Sequence, residues 1–315
     1  MSDNKLVISP VQDNDGNFLK AILIGTTIAV AFGLGGFFLV RDVSGSMGTV
    51  LFVLLPLVTG FATALMIRGR KLILGSLLMG AIICTGALLA TKMEGLVCVL
   101  MSSPLIAVGL TVGALLGSVI RRGLSGKSEH QKLLSALLLF VIPLFLMGAN
   151  NAEERSRRTL REQTVENKLV VNASPEAAWN QLISIDHVSG SKGLLMRIGL
   201  PVPVRCTMEG TGVGAKRTCY FESGHIEERI TEWKPPASLK MEITDFDVPG
   251  RPWLSFKDAS YEIAQENGKT VITRKTTIIS RLSPAVYWRP LEKIGVETEH
   301  EYLFDEIKRR LDGAK

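Results

Sequence analysis

Apolar and polar positions alternate on two different scales along this chain. From Phe18 to about Met147 the pattern is of long uncharged runs broken by short charged connections, and from Asn150 onward it is the short-period alternation of a globular domain. A bilayer core needs roughly 20 apolar residues per helix. Five runs read that way: Leu19 to Val40, Thr49 to Ile67, Leu72 to Thr91, Leu96 to Ile120 and Leu133 to Met147. Arg41 and Asp42, then Arg68, Arg70 and Lys71, then Lys92 and Glu94, then Arg121, Arg122 and Lys127 mark the connections. The division is therefore a polar tail over 1–18, a membrane helical region over 19–149, a juxtamembrane linker over 150–162 and a soluble domain over 163–315.

In the second half, period-two alternation predicts a strand at "TVENKLVVNA". Ser174 then caps a helix with Pro175 at its first position. Six more strands are expected at about Val202–Glu209, Ala215–Glu222, His225–Trp233, Leu239–Phe246, Phe256–Ala264 and Thr270–Ser280. A long last helix follows Ser283-Pro284, with Leu291, Ile294, Leu303, Ile307 and Leu311 at helical spacing as its buried stripe. Glu297, Glu299 and Glu301 interrupt that stripe and read as its solvated side. The fold class is an α-helical membrane bundle of about five spans followed by an α+β domain, a curved antiparallel sheet around a long C-terminal helix.

That order, over about Gln163 to Leu311, resembles the helix-grip fold of the START and birch-pollen-allergen superfamily, also called SRPBCC or polyketide cyclase/dehydrase and lipid transport. "PVPVRCTMEGTGVGAKRTCYFESGHIEERITEWKPPASLKMEI" and "TTIISRLSPAVYWRPLEK" are similar to a bacterial subgroup in which such a domain follows membrane spans. The resemblance implies a hydrophobic ligand held between the sheet and the last helix. It carries over no catalytic motif.

Composition and charge narrow the picture. The chain is 46% hydrophobic and carries a net charge of +6, but residues 151–315 hold 25 basic and 24 acidic side chains. The excess positive charge therefore belongs to the membrane loops and argues against a nucleic-acid partner. Nine Lys and Arg, Arg68, Arg70, Lys71, Arg121 and Arg122 among them, fall on the N-terminal side of an odd-numbered bundle, against six on the other. This points to a cytoplasmic N-terminus and a C-terminal domain outside the cytoplasm, in the manner of a bacterial inner-membrane protein. Apart from Lys20 at the edge of the first run, no charged residue interrupts the five runs, so the membrane half reads as an anchor or scaffold. Gly109, Gly113 and Gly117 repeat at i, i+4, i+8 in the fourth run, a small-residue face for close packing within the bundle or for a homo-oligomer.

The stretch "RCTMEGTGVGAKRTCYF" reads as a hairpin about a two-residue Gly212-Val213 turn. Counting outward pairs Met208 with Arg217 and Cys206 with Cys219, the latter on a non-hydrogen-bonded site where Cα atoms come within about 4.5 Å. Two readings stay open, a disulfide and a pair of buried thiols. A zinc site needs about four ligands, and no His-Cys spacing nearby supplies the other two. The glycines of "GTGVG" join two strands, not a strand and a helix, which excludes a dinucleotide fingerprint. Cofactor motifs are absent. Candidate ligand-contacting residues are Met208, Arg217, Phe221, Trp253, Trp288 and Gly295: Arg217 as an inward guanidinium able to meet a carboxylate or phosphate, Gly295 as a gap in the helix, and Trp253 in the irregular "FDVPGRPWLSF" segment. His187, His225 and His300 have no partner fixed by local spacing and read as solvated. Three functional readings follow: a membrane-anchored binding or transfer protein for a lipid or other apolar molecule, a cyclase, aromatase or dehydrase-type enzyme in the same cavity, and a non-catalytic sensory or interaction module.

Overall fold

The computed structural model describes residues 15–44, 48–91, 95–123, 141–153, 155, 161–183, 185–248 and 253–313. The N-terminal half is helical: α1 (Asp15–Ser44), a π-helical turn (Val50–Leu54) running into α2 (Leu55–Met66), α3 (Arg70–Ala90), α4 (Leu96–Gly123) and α5 (residues 141–153). Among the described residues, three helical stretches are long and apolar enough to cross a membrane: Phe18–Val40, Arg70–Ala90 and Leu96–Gly123. The expected count of five is not reached among the described residues. The second apolar run forms a helix over Val50–Met66, whose 17 residues would rise about 25 Å, short of the roughly 30 Å hydrocarbon core. Of the fifth run, residues 133–140 lie outside the described residues, and 141–147 are helical.

Small residues sort these helices into two close pairs. A Cβ at Gly113 would lie 1.9 Å from the Leu57 carbonyl oxygen, and one at Gly117 2.5 Å from that of Phe61, so α4 lies directly against α2. The glycine face is thus covered within the chain and is not open to a second copy. On the other side, a Cβ at Gly80 would lie 2.6 Å from Ala29 Cβ, and one at Gly25 2.3 Å from Ser76 Oγ, which brings α3 onto α1. Close backbone approach of this kind is what small residues allow between apolar helices.

The C-terminal half is one seven-stranded antiparallel sheet in the order β1-β7-β6-β5-β4-β3-β2. Its strands are β1 (Arg161–Val171), β2 (Pro203–Glu209), β3 (Lys216–Phe221), β4 (Gly224–Lys234), β5 (Ser238–Asp247), β6 (Leu254–Glu266) and β7 (Lys269–Ser280). Two short helices, α6 (Pro175–Ile183) and α7 (Leu194–Arg197), precede β2, and α8 (Ala285–Gly313) follows β7. This is the helix-grip arrangement. The Ser174 hydroxyl accepts from the Ala177 N–H at 3.2 Å, capping α6 as expected. Trp179, Leu239, Ile272 and Ile307 belong to the main core of the domain. A second cluster joins Phe37 and Phe52 of the bundle to Trp253 and Trp288 of the domain, with the Phe52 and Trp288 rings 4.8 Å apart. The Tyr287 hydroxyl also donates to the Met101 carbonyl.

The hairpin keeps the counted register, with Cys206 opposite Cys219 and Met208 opposite Arg217. Its turn differs. Pairing stops at Glu209 and Lys216, and six residues form the loop, not two. The cause is β4: the Gly214 N–H donates to the Ile230 carbonyl and the Ile230 N–H to the Ala215 carbonyl, so the end of the loop joins the neighbouring strand. Gly210, Gly212 and Gly214 all take positive φ there, a region that glycine enters without strain.

Candidate functional site

Between the sheet and α8 lies a cavity of about 1470 Å³, its open mouth included. Gly95, Val97, Cys98 and Met101 at the start of α4 form part of its lining, so the cavity reaches the helical bundle. The walls are largely apolar, with Phe221, Ile226, Ile243, Phe256, Val296 and Leu303 among them. Strand alternation and helical spacing produce this surface. Arg217, Cys219 and Phe221 share one face of β3, and Glu292, Val296, Glu299 and Leu303 follow one stripe of α8.

The apolar wall carries a charged floor. The Arg217 guanidinium is 2% exposed and donates to Glu228 and, at 3.4 Å, to the Leu182 carbonyl. Arg274 Nη2 meets Glu299 Oε2 at 3.0 Å, and the Arg274 guanidinium lies 5.4 Å from the Tyr261 ring centre. Two positive and two negative side chains thus share one buried region, as burial of charge requires. Burial pushes the Glu299 carboxyl above its ordinary value, with Arg274 pulling it back. Burial likewise raises the Tyr261 hydroxyl. It also works against the Arg274 charge, which Glu299 and Tyr261 outweigh, so the guanidinium stays protonated.

Arg274 is not fully engaged. Its Nε and Nη1 are buried and make no hydrogen bond, and the same holds for Arg217 Nε. Unmet guanidinium N–H groups beside an apolar cavity fit a ligand with a hydrogen-bond acceptor, an anionic oxygen above all.

Glu292, which also lines the cavity, is held by Arg161, whose guanidinium forks onto it with Nη1–Oε2 at 2.8 Å and Nη2–Oε1 at 2.7 Å. The Ser280 hydroxyl donates to the same carboxylate at 2.5 Å. This bidentate pair ties the start of β1 and the end of β7 to α8.

The structure brings most of the sequence candidates together. Arg217, Phe221, Trp253, Trp288 and Gly295 line the cavity, as do Cys206 and Cys219. Above Gly295 the helix faces Leu200, 3.7 Å from where a Cβ would stand. Met208 is the exception. It shares the inward face of β2 with Cys206, but two residues further along the strand that face is covered by the Trp179 core, so Met208 packs half-buried there and does not line the cavity. Cys206 and Cys219 are joined in a disulfide, with Cα atoms 4.0 Å apart. The Cys206 N–H and C=O both bond to Ile185, which leaves the Cys219 side of β2 non-hydrogen-bonded, as the count requires.

Three readings of α8 need correction. Glu299 is not solvated; it is paired with Arg274 in the cavity. His300 is fully buried. Its Nδ1 lies 2.8 Å from Asn167 Oδ1 and its Nε2 2.8 Å from Thr276 Oγ1. An amide oxygen only accepts, so Nδ1 carries the proton and Nε2 accepts from the Thr276 hydroxyl. Burial and the Arg274 charge lower the His300 pKa to about 2. Its partners are a hydroxyl and an amide, so His300 forms no base–carboxylate pair for catalysis. Ile294, assigned to the buried stripe, is 47% exposed, because the stripe runs through Glu292, Val296 and Glu299 instead.

Arg274, Glu228, Tyr261 and Glu299 were missed by sequence reasoning. Strand parity carried the signal: Arg274 shares its face with the fully buried Ile272 and Ile278, and Tyr261 shares its face with Ala259 and Ile263.

No family model matches this sequence, and no curated protein matches it. Among solved structures, the C-terminal half is similar to a START superfamily protein from Mycobacterium smegmatis at 11% identity, over 48% of this chain and 99% of that one, with a TM-score of 0.36. A norcoclaurine synthase point mutant from Thalictrum flavum, in complex with a transition-state analogue, is similar at 13% identity over 50% and 98% of the two chains, with a TM-score of 0.35. The Aha1 dimer from Colwellia psychrerythraea is similar at 14% identity over 47% and 96%, with a TM-score of 0.31. These scores are too low to add to the strand order and register described above.

Proposed function

We propose that this chain is a membrane-anchored binding or transfer protein for a lipid-like amphiphile, residues 19–149 forming the anchor and 163–315 the binding domain. The ligand's hydrocarbon part lies against the apolar walls, and its head, a single carboxylate, meets Arg274. One observation carries this reading: a buried arginine in an apolar cavity whose Nε and Nη1 make no hydrogen bond. A singly charged head suits the floor, because Glu228 and Glu299 already neutralise the two arginines and a second negative charge would add repulsion. The contribution of α4 residues to the cavity lining supports delivery from the membrane side. On this reading the N-terminus is cytoplasmic and the binding domain lies outside, in a bacterial inner membrane, an orientation that the distribution of positive loops supports.

The test uses the full chain in amphipol and cis-parinaric acid, a fluorescent fatty acid, against its methyl ester. Binding is read by energy transfer from the cavity tryptophans, Trp253 and Trp288. Hydrogen bonds to a charged group contribute about 1.5 kcal/mol or more, so the acid should bind at least tenfold more tightly than the ester. The Arg274→Met variant should erase that preference. Equal affinity for acid and ester in the unsubstituted protein would exclude the carboxylate reading.

A further inference from the structure

A second, partly open cavity, of about 1100 Å³ with its open side included, lies among the bundle helices. It falls between the two close pairs, α1 with α3 and α2 with α4, and its lining is almost wholly hydrocarbon. Cys98, Trp253, Leu282 and Trp288 line this cavity and the grip cavity alike. The two spaces are therefore separated by a wall one side chain thick.

Lengths decide what such a pair of spaces can hold. From Arg274 to Ser280, where β7 ends on the bundle side next to Leu282, is six residues of β7, about 20 Å at the rise of a strand. From Cys98 to Leu110, both lining the bundle cavity, is twelve residues of α4, about 18 Å at the rise of a helix. An extended chain gains about 1.2 Å per single bond. A carboxylate of twelve carbons seated on Arg274 ends alongside β7, whereas one of twenty-four carbons extends past the end of that strand.

We infer that the bundle cavity is a second binding site, for the distal hydrocarbon of a very-long-chain amphiphile whose head occupies the grip domain. The inference rests on the carboxylate reading for the head and adds a ligand class to it. It also gives the membrane half a role besides anchoring: the bundle supplies the remainder of the site. Three observations carry it: the apolar lining, the position between glycine-packed helix pairs, and the shared wall at Trp253 and Trp288.

The test uses the full chain in nanodiscs and two carboxylic acids, of 12 and 24 carbons, each with a diazirine at the terminal carbon. After photolysis, peptide mapping distinguishes residues that face into the bundle, Leu77 and Ser102, from Leu78 and Ile82 on its exposed face. The 24-carbon tip should label Leu77 or Ser102, and excess unlabelled 24-carbon acid should suppress the labelling. The 12-carbon tip should label only grip-domain strands. Each methylene kept from water multiplies affinity about fourfold. Ala81→Phe, which fills the bundle cavity, should therefore weaken the 24-carbon acid at least tenfold and leave the 12-carbon acid unchanged. Labelling of the unsubstituted protein is decisive even if that variant does not fold. A 24-carbon tip found only in the grip domain, or only on Leu78 and Ile82, overturns the inference. The affinity of the 12-carbon acid relative to its methyl ester reports separately on the head-group reading, so the two can fail independently.

Discussion

Acidification should destabilise the grip domain through His300. The side chain is fully buried, donates through Nδ1 to Asn167 and accepts through Nε2 from Thr276, and has its pKa lowered to about 2 by burial and the Arg274 charge. In the unfolded chain the ordinary value of about 6.5 returns. A depressed pKa gives stability that is present above the unfolded value and is lost as pH falls toward the folded one. At pH 5 the unfolded imidazole is almost fully protonated while the folded one is not. The difference favours unfolding by RT ln(1 + 10^1.5), about 2 kcal/mol relative to pH 7.5. Glu299 titrates in the opposite sense: its raised pKa favours the folded state at low pH, so total stability does not isolate His300. The comparison is between the unsubstituted full chain in amphipol and its His300→Gln variant, in which a neutral amide keeps a donor for Asn167. Unfolding free energies come from hydrogen exchange of the β1 and β7 amides at pH 5 and pH 7.5. The unsubstituted protein should lose about 2 kcal/mol more than the variant over this range. Parallel pH profiles would show that His300 is not held neutral by its surroundings, and the tautomer assigned here would fall with it.

Three further outcomes are expected. Arg274→Met strands Glu299 as an uncompensated buried acid and should cost about 3 kcal/mol at pH 7.5 by the same exchange measurement, whereas Arg274→Met with Glu299→Leu should recover most of that loss; strictly additive effects would show the pair is not coupled. Reduction of the Cys206–Cys219 disulfide, which closes a loop of 13-residue separation, should lower stability by about 3 kcal/mol. The Cys206→Ala, Cys219→Ala variant should show no response to reductant in the same thermal melt. Cysteine placed at the exposed Ser191 should react with a membrane-impermeant maleimide on intact cells; labelling only after permeabilisation would reverse the proposed orientation.

Most of the grip domain was legible because its strands obey period two and its turns are punctuated by glycine and proline. The Cys206–Cys219 register could be counted from the turn because register is symmetric about it, even though the loop proved longer. The charged floor was not legible in the same way. Reading polar residues as solvent-facing assigns Glu299 to the outside of α8, yet helical spacing from Leu303 and Val296 places it on the buried stripe. The same habit passed over Arg274 between Ile272 and Ile278. Parity fixes which face a residue occupies irrespective of its chemistry. A charged residue on an apolar face is the place where a buried pair, or a ligand, has to be sought.

The bundle shows the complementary limit. Gly109, Gly113 and Gly117 announce a close helix contact but do not name its partner, which is α2 of the same chain. Hydropathy is equally silent on Gly25, Ala29, Ser76 and Gly80, which bring α1 and α3 together. Once both pairs close on small residues, the larger side chains that line the space between them, Phe37, Leu51, Leu77 and Ile106 among them, meet across the gap without filling it. Tight contacts within each pair and an apolar void between the pairs have one cause, the segregation of small residues to one face of each helix and bulky ones to another. The cavity is therefore encoded in the sequence, but as a relation among four helices that no single apolar run displays.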